Sequence, residues 1–375
     1  MTSPPYQPTD RLTQQPTEQL LAQRRVASGR RLGAALLISA IGLATLGCAN
    51  NQQQAWESRA TSRTQALADA VGMPAPDTHL ATDLAWTDTT RQRPVLAKLY
   101  LPTQATGAAV PLVVFSHGIG GSRDGYSYIG KFLAANGMAA LHLQHAGSDR
   151  NIWFGNPLAM VTRLQTAAKE TEAIDRAKDV SFAIDQLLAD KALGLRIDAA
   201  RIGAAGHSYG ANTMLLVSGA RVQRDGRALD YTDKRIKASV LISAPPFYGE
   251  GNPQSILGSI AIPTLHITAT GDEIKIPGYY SGAQDRVAVY EAVGKTGATK
   301  ALAVFKDGSH SMFTDRLGTG GAELNPKIKI ATRELTLAYL QMHLLGGLPS
   351  ADRAVTFATW PERHKALLAR FDRQG

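Results

Sequence analysis

Two short runs, residues 111–116 (PLVVFS) and 138–143 (MAALHL), are apolar at successive positions rather than alternate ones. A strand of that kind has to be covered on both faces, which points to a sheet held between two helical layers. Further strand-like segments stand at 201–205, 238–243, 263–268 and 301–305, and 93–101 alternates ahead of them. Helical periods separate these segments. They occupy 126–136, which Gly137 stops, then 166–190, 210–219, 284–293 and 328–345. The alternation predicts an α/β fold with a mostly parallel central sheet and helices on both faces. Such a sheet places its active site at the carboxyl ends of its strands.

Chemistry-bearing residues gather at four of those ends. Gly206-His207-Ser208-Tyr209-Gly210 fits G-x-S-x-G between a strand and a helix, the context in which a serine nucleophile sits on a strained turn. The bland alternative is an N-cap serine. Serine needs a base, and of nine histidines His310 is best placed, in the loop after the last apolar strand. Asp272 or its neighbour Glu273, after 263–268, can orient that imidazole. Either could instead be a solvated loop acid. The glycines of His117-Gly118-Ile119-Gly120-Gly121 let backbone amides approach a tetrahedral oxyanion. The donors are expected to be the amides of Ile119 and Tyr209. A phosphate-cradling loop is the rival, but the lysine of a P-loop is missing. His142, His145 and Asp149 do not make a metal site, because i and i+3 on a strand face opposite ways. No metal or organic cofactor is expected. His145 is expected at the pocket rim, and Arg176 and Asp179 in structural ion pairs. Trp153, Phe154, Pro246, Phe247 and Tyr248 are candidates for an acyl pocket or for loop packing.

HGIGG, GHSYG, TGDE and GSH, in that order from about residue 81 to 345, resemble a serine-dependent α/β-hydrolase. The stretch FSHGIGGSRDGYSYIGKFLAANGMAALHLQHAGSD is similar to the dienelactone-hydrolase and platelet-activating-factor-acetylhydrolase-like branch, where SHG-x-G-G and LQH-x-G-S-D recur. The resemblance implies a Ser208–Asp272–His310 triad and ester hydrolysis. Two departures matter. Dienelactone hydrolases use a cysteine where Ser208 stands. The acetylhydrolases carry their acid one strand earlier, where this chain reads Ser243-Ala244-Pro245-Pro246.

Residues 32–47 are uncharged, follow Arg30-Arg31 and end at Cys48, the only cysteine of 375 residues. The run suits a signal-peptide core and its end resembles a bacterial lipobox, with Thr45 where leucine is usual. The expected organisation is a disordered n-region and signal peptide over 1–47, lipid attachment at Cys48 with a tether to 78, and a catalytic domain over 79–375. Val26 could be the true start. The formal charge of +9 includes +3 from residues 1–31, so 49–375 keep +6, interleaved with acids. No basic run with aromatics occurs, which argues against nucleic-acid binding.

The sequence therefore predicts an exported serine esterase, lipid-anchored at a membrane and acting on a small or lipid-like ester. The alternatives are a lactonase, thioesterase, lipase or polyester hydrolase on the same machinery, or a non-catalytic ligand-binding envelope lipoprotein.

Overall fold

A computed structural model of the chain describes residues 72, 74–103, 108–276, 278–294, 298–316, 318–346 and 356–374. All belong to the unit Arg63–Gly375, and none to the unit Met1–Ser62. The signal segment, Cys48 and most of the tether lie outside the described residues.

Nine strands form the main sheet: β1 (His79–Asp88), β2 (Arg93–Pro102), β3 (Val110–Ser116), β4 (Ala139–His145), β5 (Ile197–His207), β6 (Ile236–Ile242), β7 (Thr264–Gly271), β8 (Lys300–Ser309) and β9 (Leu368–Gln374). Their spatial order is β1-β2-β4-β3-β5-β6-β7-β8-β9. Pairing is parallel from β4 through β8 and antiparallel at both margins, β1–β2, β2–β4 and β8–β9. This is the mostly parallel sheet of the α/β-hydrolase fold. The margins exceed the expectation: β1 and β9 are half-exposed edge strands whose apolar pattern is too weak to stand out.

The two-sided burial read from the apolar runs is present residue by residue. Val113 and Phe115 enter one core cluster, with Ile129 of α1 (Ser127–Ala135) and Leu340 of a long C-terminal helix. Leu112 and Val114 enter the other, with Val180 and Ile184 of α2 (Glu170–Ala189) and Leu215 of α3 (Tyr209–Val217). Alternate side chains point to opposite faces, so one strand serves both layers. Helices α4 (Ala283–Ala292) and α5 (Leu324–Leu344) complete the layers.

One expected helix differs. The segment 166–190 is not continuous: a short helix, Met160–Ala167, ends before α2 begins at Glu170. Lys169 is extended at the break, and Glu170 and Glu172 fill the first turn of α2, where carboxylates suit the helix dipole. Glu172 is then free to reach Arg93, with contacts of 3.0 and 3.1 Å.

Candidate active site

The turn at Ser208 is built by exclusion. Ser208 takes φ +56°, ψ −125° between β5 and α3, a conformation that non-glycine residues avoid. A Cβ on Gly206 would stand 2.4 Å from the Gly210 carbonyl oxygen, and one on Gly210 would stand 1.9 Å from that of Ser116. Only glycine fits at either place. Ser208 makes no side-chain cap bond. Its Oγ lies 2.9 Å from His310 Nε2 instead, so the N-cap alternative does not describe it.

His310 begins a short 3₁₀ turn directly after β8, and its Nδ1 lies 2.7 Å from Asp272 Oδ1. Asp272 follows β7 and is fully buried. Its other oxygen accepts hydroxyl bonds from Ser243 (2.6 Å) and Thr268 (2.7 Å). Burial alone would raise the pKa of this carboxyl. The hydrogen bond and charge of His310, then the Arg286 guanidinium 3.7 Å away and the Ser243 hydroxyl, outweigh it and hold Asp272 below the usual carboxylate range. Glu273, the other candidate acid, is exposed and pairs with Lys275 at 2.8 Å. Ser243 stands where the acetylhydrolases keep their acid. Here it serves the acid of the next strand.

Peptide planarity aims the expected oxyanion donors. In a trans peptide the carbonyl and the following N–H point in opposite directions. The Gly118 carbonyl accepts from His117 Nδ1 (2.7 Å) and from the Gly121 amide (3.0 Å), which turns the Ile119 N–H the other way. The Ser208 carbonyl accepts from the Ala211 (2.8 Å) and Asn212 (3.3 Å) amides, which fixes the plane carrying the Tyr209 N–H. The two loops touch: a Cβ on Gly118 would stand 3.2 Å from that of Ser208.

A second chain ties the glycine loop to His310. The His310 carbonyl can only accept, so His207 donates to it from Nε2 (3.0 Å) and accepts at Nδ1 from the Tyr126 hydroxyl (2.9 Å). The Tyr126 oxygen in turn accepts from the Gly118 amide (3.2 Å). Burial, then the neighbouring His310, pushes the His207 pKa well down, so the ring is neutral as this chain requires. Neither Tyr126 nor His207 carried a sequence signal for this role, because the link spans three separate elements.

The remaining expected residues sort by exposure. Trp153 is 41% exposed and Phe154 39%, and the Trp153 indole donates to the Gly120 carbonyl at 2.8 Å. Leu158, Met160 and Val161, in the segment that follows, are also exposed apolar side chains. Pro246 and Phe247 line a small apolar cavity with Ile256, Leu257 and Val289, and Tyr248 bonds the Tyr279 carbonyl and Ser281. His145 is not at a rim. It is fully buried behind the glycine loop, 3.0 Å from Asp179, because β4 runs on to residue 145. Asp179 does pair with Arg91 and Arg93, whereas the acceptors that Arg176 meets among the described residues are all neutral. His142 and His145 do face opposite cores, and no metal-binding group of His, Cys, Asp or Glu occurs among the described residues.

Residues 60–153 match the family model described as platelet-activating factor acetylhydrolase, isoform II. The matched stretch carries β1 to β4 and the glycine loop and stops short of Ser208, so the triad geometry stands independently of it. No curated protein matches the chain. The family match supports an ester-hydrolysing serine hydrolase, and the chain resembles the acetylhydrolase and dienelactone-hydrolase-like branch.

Proposed function

We propose, from that likeness to the platelet-activating-factor acetylhydrolases, that the chain hydrolyses carboxylic esters through an acyl-enzyme on Ser208. The observation that carries the reading is the pair of contacts from His310, 2.9 Å to Ser208 Oγ and 2.7 Å to Asp272. Ser208 Oγ attacks the ester carbonyl carbon as its proton passes to His310 Nε2. Asp272 holds the ring with Nδ1 protonated and stabilises the imidazolium. The carbonyl oxygen becomes an oxyanion and meets the Ile119 and Tyr209 amides. Collapse breaks the bond to the alkoxide, which leaves as the alcohol with the proton from His310. Water then gives a proton to His310 and attacks the acyl carbon, and collapse breaks the bond to Ser208 Oγ, which takes that proton back from His310 as the acid leaves.

The exposed apolar side chains of the segment that starts at Trp153, which meets the glycine loop, and runs on through Phe154, Leu158, Met160 and Val161 favour an ester with an apolar, lipid-like part. The test compares the full chain with Ser208→Ala on p-nitrophenyl esters of graded acyl length. The parent should exceed the variant by about a thousandfold or more in kcat, with a preference for longer acyl chains. Equal rates in the two proteins would remove the esterase reading.

The same proposal places the enzyme in the cell envelope, anchored through a lipid on Cys48, and rests there on the apolar run 32–47 and the residues before the cysteine. Mass spectrometry of the purified protein should find a diacylated Cys48 as the first residue. An intact chain with an unmodified Cys48 would end this part.

A further inference from the structure

The guanidinium of Arg176 in α2 is fully buried and makes no ion pair among the described residues, although burying a lone cation is costly. Its donors go to three separate pieces of the site. Nε reaches Thr213 Oγ1 of α3 (2.9 Å), and Nη1 reaches Ser148 Oγ in the loop after β4 (2.7 Å). Nη2 reaches Ser116 Oγ (2.9 Å) and the His117 carbonyl at the end of β3. Its flat face covers the Tyr209 ring, 4.4 Å from the centroid.

Compensating charge arrives through relays. An arginine only donates, so Ser148 and Ser116 accept from it and turn their own hydroxyl protons outward. Ser148 donates to Glu172 Oε1 at 2.7 Å. Ser116 donates to His145 Nε2 at 2.9 Å, and His145 Nδ1 donates to Asp179 at 3.0 Å. Ser116, His145 and Asp179 thus repeat the donor order of the Ser208 triad, but all three are fully buried and the serine faces Arg176. The array acts as a support. It also accounts for the LQH-x-G-S-D stretch, which supplies His145, Ser148 and Asp149. Asp149 accepts from Gln144 at 2.8 Å, and the Ser148 carbonyl accepts from the Gly120 amide at 2.8 Å.

Both expected oxyanion donors therefore hang on one group. The Ile119 amide lies two residues beyond the carbonyl that Arg176 grips, and the Tyr209 amide belongs to the ring it covers. We propose that Arg176 is a positioning residue that sets the relation between the Ile119 and Tyr209 amides, and so governs the acyl-transfer rate rather than substrate capture. This rests on the esterase reading above. A lysine keeps the charge but cannot span three elements from one planar fork.

The test compares the full chain with Arg176→Lys and Arg176→Met by three readouts. These are kinetics on a p-nitrophenyl ester, affinity for a trifluoromethyl ketone that forms a tetrahedral adduct, and amide hydrogen exchange over 116–121 and 209–213. In both variants kcat should fall about 30- to 300-fold with KM within about threefold. Ketone affinity should fall by a similar factor, and exchange should quicken in those two segments while β6 to β8 keep parent rates. A folded variant that keeps kcat and ketone affinity within about threefold of the parent overturns the proposal. So does a loss expressed in KM with ketone affinity unchanged. If neither variant melts cooperatively, Thr213→Val decides: of the Arg176 bonds it cuts the one to α3 alone, together with the bond from the Thr213 hydroxyl to the Tyr209 carbonyl at 3.0 Å, and parent-like kcat and exchange there overturn the proposal. A parent with no ester hydrolysis would defeat the esterase reading instead, and exchange alone would then judge the clamp.

Discussion

Asp272 keeps a charge at a fully buried position because three donors and one nearby guanidinium converge on it. Its pKa is depressed in the folded chain, so its ionised form favours folding at neutral pH. The sign is definite. As pH falls below the ordinary value of 3.8, the unfolded chain takes up the proton first, and the stabilisation drains away toward the lower folded value. Asp272→Asn should therefore melt below the parent at neutral pH, with the gap closing as pH drops through about 4. Calorimetry across pH 3–7 checks this, and a gap that widens in acid would refute it. The same variant should lose about four powers of ten in kcat, because an amide opposite Nδ1 no longer enforces the tautomer that leaves Nε2 free. At this scale the sequence was readable where a residue's neighbours along the chain set its role, as with Ser208 between its glycines. It was silent on Ser243 and Thr268, which reach Asp272 only because β6 and β7 lie side by side.

The junction of β5 and α3 is where an element's geometry is least negotiable. The absent Cβ of Gly210 leaves room for the Ser116 carbonyl, a backbone atom that cannot rotate aside. Gly210→Ala should cost about 3 kcal/mol or more in chemical denaturation and take the activity with it. Stability within about 0.5 kcal/mol of the parent would mean that β3 and α3 do not abut as described. Element identities were legible wherever burial imposed a strong period, as in 111–116 and along α2. The exceptions follow from physics. The break before α2 contains neither proline nor glycine; it follows the reach of Glu172 to Arg93 and Ser148, a tertiary demand without a local mark.

Across the whole molecule, the C-terminal stretch closes the far side of the sheet. Trp360 is fully buried, donates to the Ala331 carbonyl at 2.9 Å and packs edge-on against Phe305 of β8. Beyond it β9 pairs antiparallel with β8. The last element that the sequence predicts in the domain over 79–375 is the helix at 328–345, because 368–374 (LARFDRQ) alternates too weakly to announce an edge strand. Trp360→Ala should cost about 3–5 kcal/mol, the usual range for an aromatic removed from a core. A melting temperature unchanged from the parent would show that α5 and β8 hold without this segment.

What the sequence alone determined is what local pattern can encode: two helical layers around a mostly parallel sheet, and the order Ser208, Asp272, His310 at the ends of three of its strands. Burial writes its period into each strand and helix, and the nucleophile turn writes its steric limits into Gly206 and Gly210. What only the tertiary structure decided is the support of those groups. Arg176 and Ser116 stand 60 positions apart and Tyr126 and His207 stand 81 apart, yet each pair is hydrogen-bonded. Such contacts depend on how separate elements pack against one another, and a chain's local composition carries no record of that distance.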